Sequence, residues 1–129
     1  MSSPRPELTG ACLCGAIRFR GTPEGEVTRC HCEQCRRWAG DPWSSVSLRD
    51  IVIEGEGLRW FRSSDRAERG FCGRCGASLF WRRIGAASVE VSMGCADMPT
   101  GLSLQRHIFT AYRGDYYRIA DGLPQSEEG

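Results

Sequence analysis

A chain of 129 residues with a net charge of +1 has room for one domain and a core of its own. All 17 basic residues are arginine, asparagine is absent, and no basic run occurs. Schiff-base lysines, P-loop phosphate binding, N-glycosylation and dedicated nucleic-acid binding are therefore set aside. Residues Met1 to Gly10 contain no apolar h-region, and no segment approaches the apolar length of a membrane span. The expectation is a cytoplasmic protein, not bound to membrane, whose thiols stay reduced.

The predicted elements are mostly short strands. Ala16 to Gly21 alternates Ile17 and Phe19 with Arg18 and Arg20. Val27 to His31 follows, then one helical turn from Glu33 to Trp38, stopped by Gly40 and offering a Glu33–Arg37 pair. Ser45 to Leu48 sets Val46 and Leu48 against serines, and Ile51 to Ile53, Leu58 to Arg62, Arg69 to Phe71 and Ser78 to Arg83 are further strands. Ser88 to Ser92 alternates Val89 and Val91 with Ser88, Glu90 and Ser92, and His107 to Ala111 closes the series. Period-2 alternation of this kind marks strands with one buried face. The pattern predicts an all-β fold of small twisted sheets, with loosely ordered ends at Met1 to Glu7 and Ser126 to Gly129.

Seven of the eight cysteines fall into three tight clusters: Cys12-Leu-Cys14, Cys30-His-Cys-Glu-Gln-Cys35 and Cys72-Gly-Arg-Cys75. Clustered thiols in a reducing compartment favour a soft metal over disulfides, and Cys-X-Cys neighbours sit badly for bridging each other. Structural zinc takes four protein ligands, whereas catalytic zinc takes three and keeps a position free. Cys12-X-Cys14 before Gly15, and Cys72-X-X-Cys75 before Gly76, are knuckles that together supply four sulfurs for a structural zinc. Cys30, Cys32 and Cys35 can converge on a second ion with no knuckle left to complete it. A fourth ligand there is open to Cys95, His31, His107, Glu33 or Asp97, so the spacing is compatible with a free or a closed site. On a strand His31 points away from Cys30 and Cys32. His107 has the setting of a hydrogen-bonded core histidine. Arg36, Arg37, Arg69 and Arg74 flank the clusters and are candidates for pairing with substrate carboxylates. Trp38, Trp43, Trp60 and Trp81 suit core or pocket wall.

Over about Thr9 to Gln125 the chain resembles the glutathione-dependent formaldehyde-activating enzyme family, which also includes centromere protein V. The resemblance rests on the stretch from Gly10 to Ile17, on Cys30 to Arg37 with Gly40, and on Glu68 to Phe80, with His107-Ile-Phe109 and Ala120 to Gln125 adding to it. It implies a single domain with a β-tent of small antiparallel sheets around a structural zinc on Cys12, Cys14, Cys72 and Cys75. It also implies a second, labile zinc on Cys30, Cys32 and Cys35, and carbon–sulfur lyase activity joining glutathione to formaldehyde. The chain departs from the family pattern at Gly94-Cys95-Ala96-Asp97-Met98, where similar proteins carry a Gly-Ser-Leu-Asp-Asp-like stretch.

The leading expectation is a lyase acting on a thiol–aldehyde adduct such as S-hydroxymethylglutathione. Zinc on Cys30, Cys32 and Cys35 would hold the sulfur, and His107, Asp97 or a bound water would move the proton. The competing expectation is a scaffold with two structural zincs and no catalysis. Chromatin binding, by analogy with centromere protein V, is opposed by the net charge and the lack of a basic tail.

Overall fold

The computed structural model describes residues 6–129. Met1 to Arg5, most of the expected loose N-terminus, lie outside the described residues. The remainder is mainly antiparallel sheet, in the order β1-β2-β3-β7-β6-β5-β4, with β8 added in parallel to β2. The strands are β1 (Leu8–Ala11), β2 (Ile17–Cys30), β3 (Trp43–Gly55), β4 (Leu58–Arg62), β5 (Ala67–Cys72), β6 (Ser78–Arg83), β7 (Val89–Ser92) and β8 (Arg106–Ile108). One helix, α1 (Glu33–Ala39), follows β2 directly.

The alternation read from the sequence is the organising pattern. Ile17 and Phe19 of β2, Val46 and Leu48 of β3, and Val89 and Val91 of β7 are buried together with Leu79 and Phe80 of β6. Phe80 is the hub, edge-on to Phe19 at 5.5 Å and stacked near Trp60 at 6.0 Å. Gly70 lies beneath these rings, and a Cβ there would come within 3.0 Å of Trp60 and 3.1 Å of Phe80. A side chain at that position would force these packed rings to give by a few tenths of an ångström.

Four expectations need correction. Ala16–Gly21 and Val27–His31 are one strand, not two, because β3 keeps β2 paired through Pro23 and Gly25 by two register shifts. Ser45–Leu48 and Ile51–Ile53 likewise merge into β3. Ser126 to Gly129 are not loose: Ser126 N–H donates to the His107 carbonyl at 2.9 Å, and Phe109 and Ala111 N–H groups bond the Glu128 and Glu127 carbonyls. These backbone bonds lash the tail along β8. The strand expected up to Ala111 ends at Ile108, because Phe109 takes a left-handed conformation and a 3-10 turn follows at Thr110–Tyr112.

Candidate metal centres and the cavity beside them

Two turns that are distant in sequence bring the first four sulfurs together. Cys12 and Cys14 lie in the β1–β2 turn, which is closed by Cys12 N–H to the Ile17 carbonyl. Cys72 ends β5, and Cys75 lies in the turn to β6, closed by Gly76 N–H to the Cys72 carbonyl. The four sulfurs lie within 4.8 Å of one another, with Cys12–Cys14 and Cys14–Cys72 both at 3.7 Å. Tetrahedral sulfurs on zinc, at a bond length of about 2.3 Å, stand about 3.8 Å apart. The donor set and its spacing therefore fit such an ion, and a disulfide would need far shorter separations. Backbone N–H groups of Ile17, Arg74 and Cys75 point at the Cys12 and Cys72 sulfurs at 3.3–3.5 Å and offset thiolate charge.

The second group forms where β2 passes into α1. Cys30 is the last residue of the strand, and Cys32 caps the helix, its sulfur accepting from Cys35 N–H at 3.4 Å. Cys35 falls in the first turn, so all three sulfurs converge within 4.8 Å. Gly40 ends the helix in the left-handed conformation, as its position in the sequence suggested. The Cys32 thiol is held far below the usual range by hydrogen bonds from Cys30 and Cys35, with burial opposing. Cys30 is pushed up by its bonds to Cys32 and Cys35 and by burial. The trio thus shares charge as one unit, suited to a cation.

Among the described residues, no histidine, carboxylate or further cysteine joins the three. Cys95 belongs to the other end of the sheet. Its carbonyl packs so closely on Gly10 that a side chain at Gly10 would collide with it. Burial raises the Cys95 thiol, the Ser92 hydroxyl offsets part of this, and the charges of Cys12 and Cys75 add to it. The closure of the second site by Cys95 is therefore ruled out by position. Asp97 is also remote from the trio: it accepts from the Thr9 hydroxyl at 2.7 Å and faces Arg18 at 3.9 Å.

His31 points to the opposite face from Cys30 and Cys32, as strand geometry requires, and is buried there at 1% exposure. Its Nε2 lies 2.8 Å from His107 Nδ1 and its Nδ1 lies 2.7 Å from the Tyr117 hydroxyl. His107 Nε2 lies 2.7 Å from Asp121. Burial, then the neighbouring His107, lowers the His31 pKa to about 4, so His31 is neutral near neutral pH. His107 is thus brought to the ligand segment from behind, not to the sulfurs.

The sulfurs of the trio open onto a cavity of about 560 Å³. Its floor is the polar face of the sheet: Trp43 and Ser45 on β3, Glu90 on β7, Trp81 on β6 and Arg69 on β5. One wall is α1, with Glu33 and Gln34. The opposite wall is Ile108, Phe109 and Tyr112, with Glu128 of the tail. Of the four arginines singled out in the sequence, Arg69 alone lines it. Arg69 is 4% exposed, donates to the Cys35 sulfur at 3.4 Å and to Gln34 at 3.3 Å, and lies 5.2 Å from the centre of the Trp38 ring. Arg37 instead pairs with Glu33 at 2.9 Å. Sequence reasoning passed over Glu90. Burial raises its pKa, and Arg69 offsets part of that. The available signal was a lone carboxylate among serines on the polar face of β7.

An all-β sheet carrying a four-cysteine and a three-cysteine group that could each hold a metal ion, the latter beside a cavity, defines a small all-β protein of the cysteine-cluster class. The chain belongs to the glutathione-dependent formaldehyde-activating enzyme family, whose profile matches residues 7–112. It is 39% identical over 79 residues to a Schizosaccharomyces pombe protein named as an uncharacterized lyase, a match covering 59% of this chain and 58% of that protein. It is 34% identical over 86 residues to a Halomonas elongata protein named for the family's glutathione-dependent activity, covering 57% and 54%. The chain thus matches somewhat over half the length of these relatives. A crystal structure of a Rhodobacter sphaeroides protein shares the fold, with TM-score 0.57 and 21% identity over 92% of this chain and 98% of that one.

Proposed function

We propose that this single domain is a zinc-dependent carbon–sulfur lyase that makes and breaks a thiol–aldehyde adduct of the S-hydroxymethylglutathione kind. The observation that carries the reading is the three-cysteine centre, which faces a cavity and gains no fourth side-chain ligand among the described residues. Family membership and the names of the two curated relatives support the same chemistry. Cys12, Cys14, Cys72 and Cys75 would hold the structural zinc, and Cys30, Cys32 and Cys35 the second one. Zinc bound by the trio would supply a Lewis acid that keeps a thiol sulfur as thiolate at neutral pH.

The chain's own residues do the rest. Arg69 fixes Cys35 and Gln34 together through two donated bonds, so the ligand segment and the cavity floor are braced as one piece. Trp43, Trp81 and Phe109 give the cavity apolar walls that exclude water from the reacting carbon. His107 stands behind the strand in the Asp121–His31 chain and Asp97 stands at the far end of the sheet, so neither is given the proton-transfer role here.

The reading is tested by exchange NMR of zinc-loaded protein with glutathione and formaldehyde. Adduct exchange well above the buffer rate is expected, and its loss in Cys32→Ser with the fold intact. Rates equal to buffer for glutathione and for other small thiols would defeat it. The scaffold alternative predicts two four-sulfur metal environments by X-ray absorption, against one of four and one of three sulfurs here.

A further inference from the structure

Among the described residues, Glu90 is the one cavity carboxylate whose side chain has no hydrogen-bond or ion-pair partner, the charge of Arg69 acting on it without a direct bond. Its backbone lies in the ladder opposite Ser47 and Trp81, but its carboxyl makes no hydrogen bond and no ion pair with any described residue. Its neighbours are different. Glu33 is held by Arg37, and Glu128 accepts the Tyr112 hydroxyl at 3.1 Å. The register fixes where Glu90 points. Arg69 pairs with Trp81 and Trp81 with Glu90, so the three share one cross-strand row and one face of the sheet. That face is the cavity floor. Val89 and Val91 on either side are turned into the core, which locks the Glu90 side chain toward the cavity. A partly buried carboxyl without a hydrogen-bond partner costs stability, and such groups gather where a reacting molecule supplies the missing partner.

We propose that Glu90 is the proton-transfer residue of the cavity, carrying the thiol proton to the aldehyde oxygen and back. The inference rests on the lyase reading above. In the forward direction the thiol S–H proton passes to the Glu90 carboxylate. The sulfur lone pair then forms the S–C bond, the C=O π pair moves onto oxygen, and Glu90 returns its proton to that oxygen. The product is the neutral hydroxymethyl thioether, and Glu90 ends as it began. In reverse, Glu90 takes the hydroxyl proton, the C–S bond breaks with its electron pair going to sulfur, aldehyde leaves, and Glu90 gives the proton to the sulfur, which restores thiol and carboxylate. Burial, opposed in part by Arg69, sets the carboxyl above its ordinary range, which makes it a better proton holder than an exposed glutamate. The other charged groups facing this space are Glu33 on α1, Glu128 on the tail, Arg69 on β5 and the cysteine trio.

The test compares zinc-loaded wild type with Glu90→Gln, which keeps shape and removes the titrating group, and with Glu90→Ser, which continues the serine pattern of β7. Zinc content, glutathione affinity by calorimetry and adduct exchange by NMR are measured together with the glutamate carboxyl resonances of ¹³C-labelled protein. Both variants are expected to keep two zincs and the thiol affinity while exchange falls about 10²–10⁴-fold. One carboxyl resonance titrating above the ordinary glutamate range is expected in wild type and missing from Glu90→Gln. Wild-type acceleration retained in both variants overturns the role of Glu90 and leaves the lyase reading standing. No acceleration by wild type removes both. A Glu90 resonance titrating in the ordinary range also overturns the assignment.

Discussion

His31 Nε2 and His107 Nδ1, 76 positions apart in the chain, meet at 2.8 Å behind the strand that carries Cys30. When each ring carries a single proton, one arrangement satisfies the whole chain of contacts. Asp121 only accepts, so His107 carries its proton on Nε2 and accepts at Nδ1 from His31 Nε2–H. His31 Nδ1 then accepts the Tyr117 hydroxyl, whose oxygen accepts Gly114 N–H at 3.1 Å. Tyr117→Phe leaves the His31 Nδ1 acceptor buried and unpaired. It should cost about 1–3 kcal/mol, read as a lower urea midpoint with unchanged slope.

The two centres should respond differently to loss of a sulfur. Cys72 is fully buried where β5 meets the β1–β2 turn, and the ion there would tie the N-terminal strands to the middle of the chain. Structural zinc binding is worth roughly 10–16 kcal/mol in small domains, against a total domain stability of about 5–15 kcal/mol. Cys72→Ser is therefore expected to lose the folded state, seen as loss of dispersed NMR signals. Cys32→Ser removes one ligand at the N-cap of α1, a position serine also caps, and should retain the fold with one zinc instead of two. Circular dichroism paired with a metal count decides both.

Much of this arrangement was legible in the residues, and its gaps have physical causes. Val46, Leu48, Val89 and Val91 announced the core face, and the cysteine spacing announced both centres. Ala16–Gly21 and Val27–His31 read as two strands because the β3 partner that carries β2 past Pro23 and Gly25 through two register shifts is not visible in sequence. Ser45 and Glu90 read as the solvent side of their strands. That side is covered by α1 and by the tail, which turns a polar face into a cavity floor. Cys95 could not be assigned to a cluster from spacing, since its place beside Gly10 depends on the Gly10–Ala96 bridge.

Arg69 should govern how tightly the second centre holds its ion. Its guanidinium donates to the Cys35 sulfur at 3.4 Å, a charge-assisted bond in a buried setting. Arg69→Leu keeps bulk and removes both donors, leaving Cys35 without that compensation and Gln34 unbraced. Chelator competition should show faster zinc loss from the three-cysteine centre, with the four-cysteine centre unchanged. Equal loss from both centres would mean that the fold, not the local bond, had been weakened.

Glu90 also sets a pH dependence that can be read without any activity. Its pKa in the folded protein is raised by burial, with Arg69 opposing in part. Below the ordinary glutamate value of 4.5 both folded and unfolded chains hold the proton, and the relative stability is complete. As pH rises, the unfolded chain releases its proton first. Folding then binds more protons than unfolding, so stability falls with pH until the folded carboxyl has also ionised. Glu90→Gln has no proton to release at this position and should lack that decline. Thermal melts of the two proteins from mild acid to neutrality should therefore diverge, with Glu90→Gln the more stable at neutral pH and the gap closing toward acid. A gap of constant size across that range would mean that the carboxyl titrates alike in both states, and that burial does not act on its charge.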